Sequence, residues 1–355
     1  MLPTAKSKHK SSAETFFDRN TKLRSEIIAG LIREGQLVAF AGPFGTGKSP
    51  ALADLAICVV HGIPWYGREA SPRPVIVFDF ETPAPSYKRT ISNISRRYGV
   101  ALPRVPEELE VYLALDDAKE QPTAKLLDAL RSRDTKTRLG LVRNALQRKP
   151  NAIVIIDPLE LLFRLDTREK THVLGLFVDL RFLLSEFPQA ALIPTFNLRK
   201  RDKRTRRADL LQDPRGWLEE VCGSLDIMNR SDVRLGMDFH DEEARVINGI
   251  RRGEEMHPLL IRPVGDSPKN LAGFEPVPAG ELNLESLLTA KQHDYWRKLP
   301  DEFRYEDVVP GLVPKSSFSR LSERAKSVRI LEQHKGVYHK LSAKEPWRYP
   351  LRHPK

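Results

Sequence analysis

Cysteine is almost absent from this chain: its 355 residues include only Cys58 and Cys222. That excludes a disulfide framework and a cysteine-built metal site. Long apolar runs are missing too, and none approaches the roughly 20 residues that cross a bilayer. The stretch holding Lys6, Lys8 and Lys10, followed by Ser11 and Ser12, lacks the apolar centre of a secretory signal. The expectation is a cytoplasmic protein with no membrane partner. Acid is scarcer than base, with 47 Asp and Glu against 58 Lys and Arg, a net charge of +11. Such an excess favours a polyanionic partner, nucleic acid first among them. A hydrophobic content of 40% and a charged content of 30% suit a soluble globular chain. This length allows a core domain of about 250 residues and a small module beside it.

What the chain does have is Gly42-Pro43-Phe44-Gly45-Thr46-Gly47-Lys48-Ser49. The spacing G-x-x-x-x-G-K-[ST] is that of a phosphate-binding loop. An apolar run, 36–41, precedes it and a helical pattern follows, so the loop has the strand and helix it requires. Glycines let backbone N–H groups turn inward around a polyphosphate, and the helix N-terminus adds positive potential. Lys48 is expected to reach the β- and γ-phosphates of ATP, and the Ser49 hydroxyl to sit on Mg²⁺. Pro50 is tolerable in a first helical turn, where no backbone donor is needed.

Strand candidates are 36–41, 74–80, 109–114, 152–157 and 190–196, several of them continuously apolar, as strands covered on both faces are. Helices are expected near 49–61, 84–98, 138–148, 171–186 and 217–221. The alternation predicts a doubly wound α/β domain over 21–265, after a basic arm at 1–20. Residues 115–138, rich in charge and turn formers, read as a surface excursion. Prolines and glycines cluster from Pro263 to Gly280, which predicts a linker over 266–282 and a second unit over 283–355.

Two strands end in acid. The second gives Asp79-Phe80-Glu81, where a carboxylate beside the loop strand can polarise the attacking water. The strand 152–157 ends in Asp157, placed to support Mg²⁺.

With these motifs in hand, LIREGQLVAFAGPFGTGKSPALADLAICVVHGIPWYG, VIVFDFE and IVIIDPLELLF together resemble the RecA-fold ATPases of the RepA type. These are hexameric helicases related to DnaB and to KaiC-like and RecA proteins. The resemblance spans about 25–265 and implies a RecA-like P-loop NTPase with a mostly parallel sheet. By that resemblance Glu81 is the catalytic glutamate, with Asp79 the less favoured holder of the role. Asn197 falls on the γ-phosphate sensor, a position where relatives often carry His or Gln.

After the sensor comes Arg199, Lys200, Arg201, Lys203, Arg204, Arg206 and Arg207. In relatives the corresponding loop faces a central pore and touches single-stranded DNA. A solvated basic loop is the plain alternative. The segment ARVINGIRRGEEMHPLLIR resembles the strand pair that carries a basic finger into the neighbouring subunit's site. Arg251 fits that finger, with Arg252 in reserve, and an ordinary surface hairpin is the competing reading.

In the remainder, a helical pattern over 283–298 is followed by a short strand at 303–305, a helix at 314–329 and two strands over 330–341. The order resembles a winged helix-turn-helix, a small α+β domain. Lys315, Ser317, Arg320 and Arg324 lie on its recognition helix and are expected to meet duplex DNA; protein docking is the other use of such modules. Residues 291–355 hold fifteen Lys and Arg against eight Asp and Glu, so much of the surplus charge is here.

The expectation is therefore an ATP-hydrolysing, DNA-binding motor, a homo-oligomeric ring of six subunits with helicase activity on single-stranded DNA. The alternatives are a repair or recombination ATPase that does not unwind, and a nucleotide-switched DNA-binding regulator.

Overall fold

The most apolar stretches of the chain form the centre of one sheet. The computed structural model describes residues 24–104, 107–115, 123–132, 134–164, 169–198, 208–220, 225–240, 244–251, 254–256, 258–265, 271–277, 288, 290–327 and 331–340. The arm 1–20, the basic run 199–207, Arg252 and most of the span 266–282 lie outside the described residues. Strands β3 (Val38–Gly42), β4 (Val75–Asp79) and β6 (Ile153–Asp157) are buried at every position. A strand with no exposed face must be covered on both sides, which fixes it as central.

A short antiparallel pair, β1 (Glu26–Ile28) with β2 (Ile32–Arg33), precedes this sheet. Adding β5 (Leu109–Leu113), β7 (Ala191–Asn197), β8 (Val233–Phe239), β9 (Arg245–Arg251), β10 (Glu254–Glu255), β11 (Leu259–Pro263) and β12 (Phe274–Pro276) completes ten strands. Their order is β12-β11-β9-β8-β3-β7-β6-β4-β5, with β10 paired to β9. Pairing is parallel from β8 through β5 and antiparallel from β9 outward. This is an α/β fold built on a large, mostly parallel sheet. All the parallel strands end at the same edge, and at that edge a doubly wound sheet builds its sites.

Helix α1 (Lys48–His61) follows the loop and is apolar almost all round, with buried Ala51, Leu52, Ala53, Leu55, Ala56, Ile57, Cys58 and Val59. Such a helix is covered on every side. It ends at Gly62, whose φ of 64° places it in the left-handed region, and its N–H returns to Cys58 and Val59 carbonyls. Helices α2 (Ala84–Tyr98), α3 (Thr123–Arg131), α4 (Thr135–Arg148), α5 (Leu159–Phe163), α6 (Lys170–Glu186), α7 (Pro214–Leu218) and α8 (Leu225–Arg230) complete the domain.

The structure departs from the sequence-based expectation in two places. Within 115–138, expected as a surface excursion, Thr123–Arg131 is a helix that buries Leu126 and Ala129. Its apolar positions recur three and four apart among charges, so the stripe is narrow and the mean hydropathy low. Arg138, itself buried, holds its C-terminal end by donating to the carbonyls of Ala129, Leu130 and Ser132. Within the span expected as linker, Phe274–Pro276 adds to the sheet as β12, paired with β11. Proline is admissible there because an edge strand leaves one row of N–H groups unpaired.

The C-terminal residues form α9 (Ala290–Lys298), β13 (Glu302–Arg304), α10 (Tyr305–Val308), α11 (Lys315–Ser327), β14 (Leu331–His334) and β15 (Val337–Lys340), with sheet order β13-β15-β14. Their core is aromatic. Phe303 stacks on Tyr338 with centroids 5.3 Å apart, and Phe318 meets both rings edge-on.

One buried charge ties the distant strand β12 to the loop helix. Asp54, 0% exposed on α1, accepts from Arg97 at 3.1 Å, Tyr98 at 2.9 Å, Tyr66 at 3.2 Å and the Phe274 N–H at 3.0 Å. Arg97 also donates to the Phe274 carbonyl at 2.6 Å. A buried carboxylate is tolerated only when it is paired and hydrogen-bonded in this way. Asp54→Ala leaves the Arg97 charge without its partner and is expected to destabilise the fold by about 3–5 kcal/mol. The urea midpoint measures this, and a loss below about 1 kcal/mol would mean that the hub contributes nothing.

Candidate functional site: a phosphate-binding loop facing two strand ends

The loop between β3 and α1 is shaped by close approach. A Cβ on Gly42 would stand 2.6 Å from the Met237 carbonyl oxygen, and one on Gly47 would stand 2.5 Å from the Phe274 ring. Gly47 also has a φ of 97°, which side chains disfavour. Phe274, on the strand held by Asp54, thus packs against the last glycine of the loop. Thr46 is buried and its hydroxyl donates to the Pro43 carbonyl at 3.0 Å, tightening the turn. Phe44 stands at the tip, 90% exposed, and Gly45 has open space around it.

Register then brings the other residues to the loop. Gly42 is level with Asn197 on β7, and Asp157 is level with Asp79 on β4. Lys48 Nζ donates to the Gly42 carbonyl at 2.8 Å, the Pro43 carbonyl at 3.1 Å and Asn197 Oδ1 at 3.3 Å. Burial pushes the Lys48 ammonium below its usual range, while Asp157, Glu81 and Glu160 act to keep it charged. Ser49 Oγ donates to Asp157 Oδ2 at 2.5 Å, and Thr195 Oγ1 donates to Asp157 Oδ1 at 2.5 Å. The Ser49 hydroxyl and the Asp157 carboxylate form an all-oxygen donor pair, the type that a hard cation such as Mg²⁺ takes alongside phosphate oxygens.

Asp79 and Glu81 have separate situations. Asp79 is buried, and its Oδ1 accepts from the Glu81 N–H at 2.9 Å and the Thr82 N–H at 2.8 Å. It therefore shapes the turn that presents Glu81, whose side chain is exposed. Partial burial and the Asp157 charge raise Glu81 above the ordinary carboxylate range, and Lys48 opposes them.

Arg251 is not part of this gathering. It pairs in register with Val233, which pairs with Val38, so it sits at the edge of the sheet where the parallel strands begin. There it meets Glu26 at 3.6 Å. On α11, Lys315 and Arg320 are exposed and Ser317 is half-buried; Arg324 belongs to the same helix.

Sequence reading missed Thr195, Phe274, Arg97 and Glu160 as members of this neighbourhood. Thr195 carried a weak signal, a lone hydroxyl in an apolar strand. Phe274 and Arg97 carried none, since their contacts span 177 positions of the chain.

Burial, followed by the Asp157 charge, raises Asp79 from 3.8 to about 6. The folded state holds that proton more tightly than the unfolded chain, so stability should fall as pH rises through the window from about 4 to about 6. Asp79→Asn keeps an acceptor for the two amides and removes the charge. Its urea midpoint, followed from pH 4 to pH 6.5 in metal-free buffer, is expected to fall less than that of the unaltered protein. An equal or steeper fall would contradict this account of Asp79.

No curated protein matches the chain. A solved structure of the RadB recombinase is similar at 15% identity and a TM-score of 0.41, over 69% of this chain and 91% of that one. Among the described residues no helix is long and apolar enough to cross a membrane. The AAA domain family matches residues 3–191, more than half of the chain and the part that holds the loop, Glu81 and Asp157, and the protein belongs to that family.

Proposed function

We propose that the protein is an ATP-hydrolysing motor that acts on DNA. The observation that carries the reading is the meeting of Lys48, Ser49, Asp157 and Asn197 at one edge of the sheet. In this reading the loop 42–49 wraps the triphosphate with its N–H groups. Lys48 exchanges the Gly42 and Pro43 carbonyls for β- and γ-phosphate oxygens, and Asn197, its third partner, senses the γ-phosphate. Ser49 and Asp157 hold Mg²⁺, which when bound neutralises charge on the phosphate oxygens. Glu81, raised above its usual range and open to solvent, takes the proton of the attacking water.

Position supports the rest. Arg251, at the opposite edge of the sheet, could serve only a neighbouring copy's phosphates, as a finger acting across a hexameric ring requires. The basic run 199–207 begins directly after Asn197 and Leu198 and would grip single-stranded DNA by sequence-blind phosphate contacts. The C-terminal unit, in its helix–strand–helix–helix–strand–strand order, would act as a winged helix that brings the ring to duplex DNA through Lys315, Ser317, Arg320 and Arg324.

ATPase rate with and without single-stranded DNA tests the proposal, together with native mass for the hexamer and strand displacement for unwinding. The Glu81→Gln variant should still bind a fluorescent ATP analogue in Mg²⁺ and lose about 100-fold or more in turnover; unchanged turnover would refute the role of Glu81. Replacing Lys315 and Arg320 by Ala should weaken duplex DNA binding and reduce its log–log salt slope by about 2. An unaltered slope would remove α11 from the DNA interface. Stimulation by DNA without strand displacement would favour a recombination-type ATPase over a helicase.

A further inference from the structure

Thr195 is the one polar side chain among the six buried residues of β7; Ala191, Leu192, Ile193, Pro194 and Phe196 are apolar. It is 0% exposed. Valine has nearly the same shape and no hydroxyl to take out of water, so packing alone would favour valine there. The hydroxyl answers to something other than packing.

Successive side chains of a strand point to opposite faces, so Thr195 and Asn197 share one. Asn197 meets Lys48 at 3.3 Å, and Thr195 donates to Asp157 Oδ1 at 2.5 Å. One face of β7 thus serves both the loop lysine and the carboxylate at the end of the neighbouring strand β6. The two oxygens of Asp157 each have a hydroxyl of their own, Oδ1 that of Thr195 and Oδ2 that of Ser49. A hydroxyl carries one hydrogen and two lone pairs. Ser49, with its hydrogen given to Asp157, therefore keeps lone pairs for a cation. That arrangement needs the carboxylate held in one orientation, yet the last torsion of an aspartate is soft. Ser49 belongs to the loop helix and cannot hold the orientation against movements of the loop. Thr195, β-branched and set in a buried strand, can.

We propose that Thr195 is a positioning residue for the metal. Its hydroxyl sets the plane of the Asp157 carboxylate, so that Oδ2 stays aimed at Ser49 and the pair is ready for Mg²⁺ before nucleotide arrives. Thr195 acts only through Asp157. Loss of a hydrogen bond that orients a metal-holding side chain costs about 10–100-fold in metal affinity. The proposal rests on the nucleotide reading of this site.

Thr195→Val and Thr195→Ser test it, with a fluorescent ATP analogue titrated in EDTA and again in Mg²⁺. In the unaltered protein Mg²⁺ should tighten the binding. Thr195→Val keeps the shape and loses the hydroxyl: its affinity in EDTA should stay within about twofold, and the tightening by Mg²⁺ should fall by about tenfold. Thr195→Ser keeps the hydroxyl and should bring the tightening to within about threefold of the unaltered protein. An undiminished effect of Mg²⁺ in Thr195→Val overturns the proposal. So does a Thr195→Ser variant that behaves like Thr195→Val, since the methyl group and not the hydroxyl would then matter. Loss of binding in EDTA by Thr195→Val overturns it too, by making Thr195 a support of the whole site. Failure of the unaltered protein to bind the analogue, or to bind it more tightly in Mg²⁺, would instead count against the nucleotide and metal reading on which this rests.

Discussion

Asp157 fastens three elements with one carboxylate. Its Oδ2 takes the hydroxyl of Ser49 at the start of α1, and its Oδ1 takes the hydroxyl of Thr195 on β7. Being the last residue of β6, it is itself fixed by a strand buried at every position. The loop helix, the central strand and the strand leading to the basic run therefore share one anchor. A rigid anchor is what a phosphate site needs, because positioning contributes to rate only when the groups are held before the substrate arrives.

Buried polar groups in this protein are held in different ways. Two buried carboxylates away from the loop are each held by several donors. Asp54 has Arg97, Tyr98, Tyr66 and the Phe274 N–H. Glu110 has Tyr112, Arg148 and Lys149. At the loop, Lys48 bonds carbonyls of the same turn it is expected to cradle phosphate with, and Glu160 keeps one oxygen without a partner.

The Asp54 hub explains how that edge connects to the rest of the chain. It holds both main-chain polar groups of Phe274, directly or through Arg97, and the Phe274 ring packs on Gly47. The last strand added to the sheet is thereby in mechanical contact with the loop. The Phe274 ring leaves no room for a side chain at Gly47, so β12 and the loop are packed in direct contact.

The core of the site could be read without a structure because it is local. Gly42 through Ser49 are contiguous, and Glu81 and Asp157 each close an apolar run that had to be a buried strand. Patterning alone determined these, since a continuously apolar segment of five or six residues has few other places to go. The helix at 123–131 escaped because its stripe is narrow, and β12 escaped because prolines and glycines surround it. Tertiary structure alone decided which strand ends stand side by side: Gly42 beside Asn197, Asp157 beside Asp79, and Arg251 at the far edge. Strand order is set by packing among residues far apart in the chain, such as Gly42 with Asn197 and Asp79 with Asp157, and no local propensity encodes it. The sequence names the groups that bind phosphate; the sheet determines which of them meet.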